Sequence, residues 1–351
     1  MKEITVEDLM NLDKMIPVDI RSPLEFNDFN IPGSVNVPLF SDNERVEIGT
    51  LYRKKGADAA KWRAMEVVSP KIPSILTEVT ALSKNGYQPF IYCWRGGMRS
   101  KAVTTFLEYA GTPFPRLIGG YRAYRQYILD EIPQLIPPKA IVLHGMTGVG
   151  KTRILNRLEK YGYPVLDLER IANHRGSIFG HIGLGNANNQ KTFDASLFQS
   201  LLNKKHAPFT FMEAESKRIG RVVQPDKLLE LKQNGLHIDV HASLETRVMR
   251  IYEEYVIPYE KEAWFADKVA EGISLIIKRI KGKEIICLIE TAINEHNYYT
   301  LISLLLEHYY DPRYTFTLKQ YEGDFYPIYA DDLDAAIDHL KQLMIEENLQ
   351  V

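Results

Sequence analysis

The sequence predicts an α/β protein of two parallel-sheet domains, the second carrying a helix-rich C-terminal part. Three observations predict it. The apolar run Phe90-Ile91-Tyr92 leads into a glycine-bearing loop, Cys93 to Ser100, and then into helically spaced residues 101–110. The run Ala140-Ile141-Val142-Leu143 leads through His144 into Gly145-Met146-Thr147-Gly148-Val149-Gly150-Lys151-Thr152 and another helical segment, 153–161. Between them Pro133, Pro137 and Pro138 break every periodic pattern, so the domains are expected at 1–132 and 140–351, with a proline-rich linker over 133–139.

In the first domain a strand is expected at 16–20, followed by a Pro/Gly-rich passage at 31–38 and a polar stretch through Ala59. A mostly helical segment at 62–83 comes next, interrupted by Pro70 and Pro73. The loop after Tyr92 carries the most distinctive chemistry. Its backbone N–H groups and the helix N-terminus converge, and Arg95 and Arg99 add bidentate donors, a combination that binds anions. Cys93 stands at the focus, where such surroundings favour the nucleophilic thiolate. A structural core cysteine would gain nothing from two nearby arginines.

Upstream, residues 18–26 (VDIRSPLEF) and 30–38 (NIPGSVNVP) resemble the entry motif of rhodanese sulfurtransferase domains, and Gly119-Gly120 resembles their closing turn. Asn30 stands where many members carry histidine. The Cys93-to-Arg99 spacing is one residue longer than in sulfur-carrying rhodaneses and similar to that of dual-specificity phosphatases. The resemblance therefore implies a ring wide enough for a tetrahedral, phosphate-type anion. Beyond Gly120, Arg122 and Arg125 are interleaved with Tyr121, Tyr124 and Tyr127, which suits either an RNA-facing basic aromatic surface or an amphipathic helix with tyrosines in the core.

In the second domain, Gly145 to Thr152 satisfies GxxxxGK[ST]. The backbone around Gly145, Thr147, Gly148, Val149 and Gly150 is expected to cradle phosphates, Lys151 to reach their terminal oxygens, and Thr152 to be a possible Mg²⁺ ligand; no other metal ligand is assigned. Further strands are expected at 163–168, 208–212 and 237–242. Asp167, Glu169, Glu213 and Glu215 follow the first two of these, where carboxylates serve either a phosphate-bound metal or a helix cap. The irregular 173–185 segment, with His174 and Arg175, is not a regular element, and segments of that kind inside a compact domain are usually functional or mobile. Lys217 and Arg218 form a basic cluster open to RNA or to orienting the site. Arg247 and Arg250 follow on a helix, where they could reach a nucleotide or diphosphate, although a solvated face is the expectation favoured. From about Glu253 the pattern is helical, with Cys287 in an apolar ridge and an amphipathic helix over 334–344.

The 351 residues are 45% apolar and 25% charged with a formal net charge of -2, so any nucleic-acid binding must rest on local clusters. Two cysteines without metal-ligand spacing argue against zinc and a disulfide framework. The N-terminus is polar, no long apolar run exists, and a reactive thiol implies a reducing compartment, so a cytoplasmic protein is expected.

The ordered blocks CWRGGMRS, GGYRAYR, GMTGVGKT, LDLERIANHRGSIFG, EAESKRIG and LLLEHYYDPRY resemble the tRNA 2-selenouridine synthase family across essentially the whole chain. That resemblance implies a transferase replacing sulfur by selenium at C2 of wobble 2-thiouridine. It implies an S-geranyl intermediate made from geranyl diphosphate, selenophosphate as selenium donor, the tRNA anticodon region as partner, and no tightly bound cofactor, obligate protein partner or membrane. The residues alone also admit a rhodanese-family phosphatase using Cys93 and Arg99, or an ATP-dependent tRNA sulfurtransferase.

Overall fold

The computed structural model describes residues 2–318, 321, 323–347 and 349. The chain divides into two compact units, one of residues 1–132 with Asp194–Phe198, the other of Pro133–Phe193 and Gln199–Val351.

The first unit is built on a five-stranded parallel sheet. Its elements are β1 (Glu3–Ile4), α1 (Val6–Met10), β2 (Met15–Asp19), α2 (Pro23–Asp28), β3 (Val35–Asn36), α3 (Asp42–Val68), α4 (Ile72–Ala81), β4 (Gln88–Tyr92), α5 (Met98–Tyr109), β5 (Arg116–Leu117) and α6 (Gly120–Leu135). The strand order β1-β5-β4-β2-β3 makes β4 the central strand, buried on both faces, as its continuous apolar sequence requires. Val18, Ile91, Val103 and Leu107 lie in the core beside it.

Two expectations fail in this unit. The polar stretch before Ala59 is helical: α3 starts at the Ser41/Glu44 capping box and continues through a break at Gly56. The presumed linker also begins inside a helix, because α6 runs through Pro133 to Leu135. A proline in the last turn forfeits a single helical N–H, and burial of Ile132 and Leu135 offsets that loss.

The second unit holds a four-stranded parallel sheet, ordered β11-β10-β6-β7. Its elements are β6 (Ala140–His144), α7 (Lys151–Lys160), α8 (Leu168–Ala172), α9 (Gln190–Leu202), β7 (Thr210–Glu213), β8 (Arg218–Ile219), β9 (Val222–Val223), α10 (Asp226–Gln233), β10 (Leu236–His241), α11 (Leu244–Ile251), α12 (Phe265–Ile276), α13 (Lys283–Asn294), α14 (Tyr298–Leu305), α15 (Asp311–Leu318), β11 (Phe325–Tyr329) and α16 (Leu333–Glu346). A sheet core around Ile141, Leu143, Ile154 and Ile337 is separate from a helical core around Phe265, Ile273, Ile289 and Leu305.

The expected strand at 163–168 is reduced to a lone bridge, Val165 to Phe211. Pro164 has no N–H for a ladder, and Asp167 instead caps α8, its Oδ1 accepting from the Arg170 N–H at 2.9 Å. Cys287 is exposed rather than in the core. The ridge it was assigned to turns Ile289 and Ala292 inward, and a position two before Ile289 faces away on a helix. Among the described residues, no helix is long and apolar enough to cross a membrane.

Candidate active site

In the first unit, Cys93 leaves the C-terminal end of central β4, the edge at which open parallel sheets place ligands. Its thiol is buried, with Sγ 3.3 Å from the Ser100 hydroxyl, which donates to the Gly97 carbonyl at 3.2 Å. The loop is held by backbone: the Cys93 and Trp94 carbonyls accept from the N–H groups of Tyr121 (2.9 Å) and Arg122 (3.0 Å) at the start of α6. A Cβ on Gly120 would lie 2.1 Å from the Cys93 carbonyl, so that crossing excludes a side chain.

The loop's arginines are placed differently from one another. Arg95 is exposed. Arg99 is only partly exposed, and both of its terminal nitrogens hydrogen-bond Glu25, at 2.7 and 3.4 Å. Burial alone would raise the Glu25 carboxyl, but Arg99, the Ser22 N–H and Arg45 together hold it below its ordinary range. Arg99 thus spends part of its N–H donor set on a carboxylate. Tyr121 and Tyr124 are buried and Trp94 stacks on Tyr121 at 5.7 Å, so the RNA-facing aromatic surface does not form there; these rings belong to the core. Arg122 is exposed, and Arg125 is half-buried against Asp194 at 2.8 Å.

In the second unit, the loop from Gly145 to Gly150 joins β6 to the N-terminus of α7. Lys151 Nζ donates to the Gly145 and Met146 carbonyls at 2.7 and 3.4 Å, and the Thr152 hydroxyl donates to Glu213 Oε1 at 2.9 Å. Arg247 and Arg250 are not solvated. Both are buried, Arg247 donating to the Thr147 carbonyl at 2.9 Å and clasping Asp311 at 2.6 and 3.0 Å, Arg250 donating to the Val149 carbonyl at 2.6 Å. A loop that turns N–H groups inward leaves carbonyls outward, and these arginines satisfy them. At the root of the loop His144 Nε2 meets His237 Nδ1 at 2.9 Å; burial, then His237, lowers the His144 pKa to about 3, so the pair is neutral.

Glu169, Glu213 and Glu215 meet beside Lys151, each offering an oxygen within 4.8 Å of the other two. A Cβ on Gly176 would come within 2.8 Å of Glu169 and 2.9 Å of Glu215, so the irregular segment closes directly over the acids. Burial, and for Glu169 the neighbouring Glu213 and Glu215, push all three carboxyls upward, while Lys151 opposes the shift. Crowded acidic oxygens beside the Thr152 hydroxyl form a hard donor set that fits Mg²⁺. The polar cavity around them is also lined by Arg175, Glu254 and Tyr310. Arg175 pairs with Glu254 at 2.8 Å, and His174 packs on Gly220. Lys217 and Arg218 are exposed, Lys217 pairing with Asp226 at 2.8 Å.

Sequence reasoning leaves capping and function open for Asp167 and Glu169, and the structure separates them: Asp167 caps α8, Glu169 joins the acidic cluster. It missed Arg247, Arg250 and Asp311 as supports of the loop. An available signal was the arginine pair at i and i+3, which share one face of α11.

Comparison with known proteins gives matches along the chain. A family model described as the tRNA 2-selenouridine synthase AAA domain matches residues 138–347, and a rhodanese-like domain model matches residues 5–127. The chain is 34% identical over 327 residues to a tRNA 2-selenouridine synthase of Pseudomonas syringae pv. tomato, covering 85% of this chain and 87% of the relative. It is 33% identical over 349 residues to the Pseudomonas fluorescens protein of that name, covering 93% and 94%. A Nitrosomonas eutropha relative of the same name is 30% identical over 365 residues, covering 92% and 93%.

Proposed function

This chain belongs to the tRNA 2-selenouridine synthase family, and from that premise we propose that it exchanges sulfur for selenium at C2 of wobble 2-thiouridine in tRNA, one step at each loop. In the first step the thiocarbonyl sulfur attacks C1 of geranyl diphosphate. The C–S bond forms, the C1–O bond breaks, diphosphate leaves with the electron pair and the base gives up its N3 proton. In the second step selenium from selenophosphate attacks C2, the sulfur leaves as geranylthiol after taking a proton, and water takes the phosphoryl group.

The P-loop and its surroundings support the first step. Inward N–H groups and the Lys151 ammonium neutralise a leaving diphosphate, while Arg247 and Arg250 hold the loop's shape from behind. Glu169, Glu213, Glu215 and Thr152 are the residues that would hold Mg²⁺, whose charge further stabilises diphosphate when bound. Cys93 supports the second step by handling the selenium donor, with Arg95 and Arg99 as cationic partners for its phosphate group. Exposed Arg122, Lys217 and Arg218 are available to the tRNA backbone.

The observation that carries this division is chemical. One loop presents a thiol 3.3 Å from a hydroxyl, the other an ammonium beside three clustered carboxylates. Nucleoside mass spectrometry of tRNA from cells carrying the wild type, Cys93→Ala or Lys151→Ala tests it. Cys93→Ala is expected to accumulate the geranylated nucleoside without the selenium product, and Lys151→Ala to lack both. Normal selenouridine in the Cys93→Ala strain overturns the assignment of that thiol.

A further inference from the structure

A second cavity lies among the helices of the second unit. Its walls are almost entirely hydrocarbon and aromatic, among them Phe179, Val256, Phe265, Val269, Ile302 and Leu305, and among the described residues no charged side chain lines it. It shares Thr147, Ser177, Ile251, Tyr255 and Tyr310 with the polar cavity over the P-loop, so the two adjoin at the loop itself. A molecule occupying both has an anionic head in the cradle and an uncharged, hydrocarbon tail among the helices.

We propose that this cavity holds the prenyl chain of the diphosphate substrate and that Phe179, seated on Gly272 of α12, sets the chain length it accepts. The proposal rests on the reading that the P-loop binds geranyl diphosphate. The irregular segment between α8 and α9 then has a purpose at each end. Its Gly176 closes over the carboxylates of the polar cavity, and its Phe179 and Ile182 form a wall of the apolar one. A Cβ on Gly272 would lie 2.3 Å from the Phe179 ring, so the ring rests directly on the α12 backbone and cannot retreat further. Removing the ring opens that wall; adding a methyl group at position 272 drives the ring off its seat.

Isothermal titration of the full chain with inorganic diphosphate and with geranyl diphosphate separates the two levels of the argument. Wild type is expected to bind geranyl diphosphate at least about a hundredfold tighter, the effect of burying roughly three to four methylene groups. Val269→Phe, which fills the cavity from α12, should lose most of that advantage while keeping its affinity for inorganic diphosphate. Phe179→Ala should raise the kcat/KM ratio of farnesyl over geranyl diphosphate on 2-thiouridine-bearing tRNA by about tenfold or more, with circular dichroism confirming that it folds. If wild type binds both probes equally and neither variant changes its preference, the cavity assignment is wrong while the anion cradle stands. If wild type binds neither probe, the reading of the P-loop beneath it fails as well.

Discussion

The Cys93 loop and the Lys151 loop are built on one plan. Each leaves the C-terminal end of an interior strand of a parallel sheet, β4 or β6, and enters a helix, α5 or α7, with glycines where the backbone turns sharply. They differ in what braces them. The Cys93 loop is held by backbone, its carbonyls tied to the first N–H groups of α6 and its glycine crossing too tight for any side chain. The Lys151 loop is held by side chains, two buried arginines from α11 that take up its outward carbonyls. A brace made of peptide groups fixes the position of a single thiol. A brace made of long cations leaves the inner face free and adds positive potential around a site where three carboxylates cluster.

The largest expected effect comes from breaking the side-chain brace. Arg247→Ala leaves Asp311 without its bidentate partner and the Thr147 carbonyl without its donor, and should destabilise the second unit by roughly 3–5 kcal/mol in denaturant titration. If Arg247→Ala unfolds like wild type, the loop does not depend on that brace. Breaking the backbone brace comes next. Gly120→Ala forces a methyl group against the Cys93 carbonyl and should cost about 3 kcal/mol in the first unit, leaving geranylated tRNA but little selenium product. An unchanged ratio of the two nucleosides would show that the crossing can relax.

The smallest effect sharpens the contrast at Arg99. The Glu25 carboxyl is held below its ordinary value of 4.5, so its contribution is complete above that pH and is lost as pH falls through the folded-state pKa. The pair is partly exposed, so Glu25→Gln should cost only about 1 kcal/mol at neutral pH and flatten the acid limb of first-unit unfolding, read by hydrogen exchange. A wild-type acid limb in Glu25→Gln would assign that limb to other groups.

Legibility in the sequence followed the locality of the interactions. Both glycine loops and the strands β4 and β6 answer to residues within a few positions, and each could be read from spacing. The capping box at Ser41 and Glu44 is a local signal as well, and it starts α3 within the polar stretch. The Arg122 and Arg125 segment was ambiguous, because a helix with alternating tyrosines and arginines fits a wet face or a buried one equally until its neighbours are known; burial of Tyr121 and Tyr124 decided it.

By itself, then, the sequence determined the chemistry: a thiol at the head of one glycine loop, a lysine and threonine in another, and two sheets to carry them, because loop geometry depends on residue types at fixed short spacing. Tertiary structure alone decided how that chemistry is held and addressed. It placed Glu25 on Arg99, turned Arg247 and Arg250 from an apparent solvent face onto the P-loop, gathered three glutamates into one cluster and left an apolar cavity beside them. Each of these joins residues distant in the chain, and no local pattern records which distant helix will bury a given charge or leave a given space.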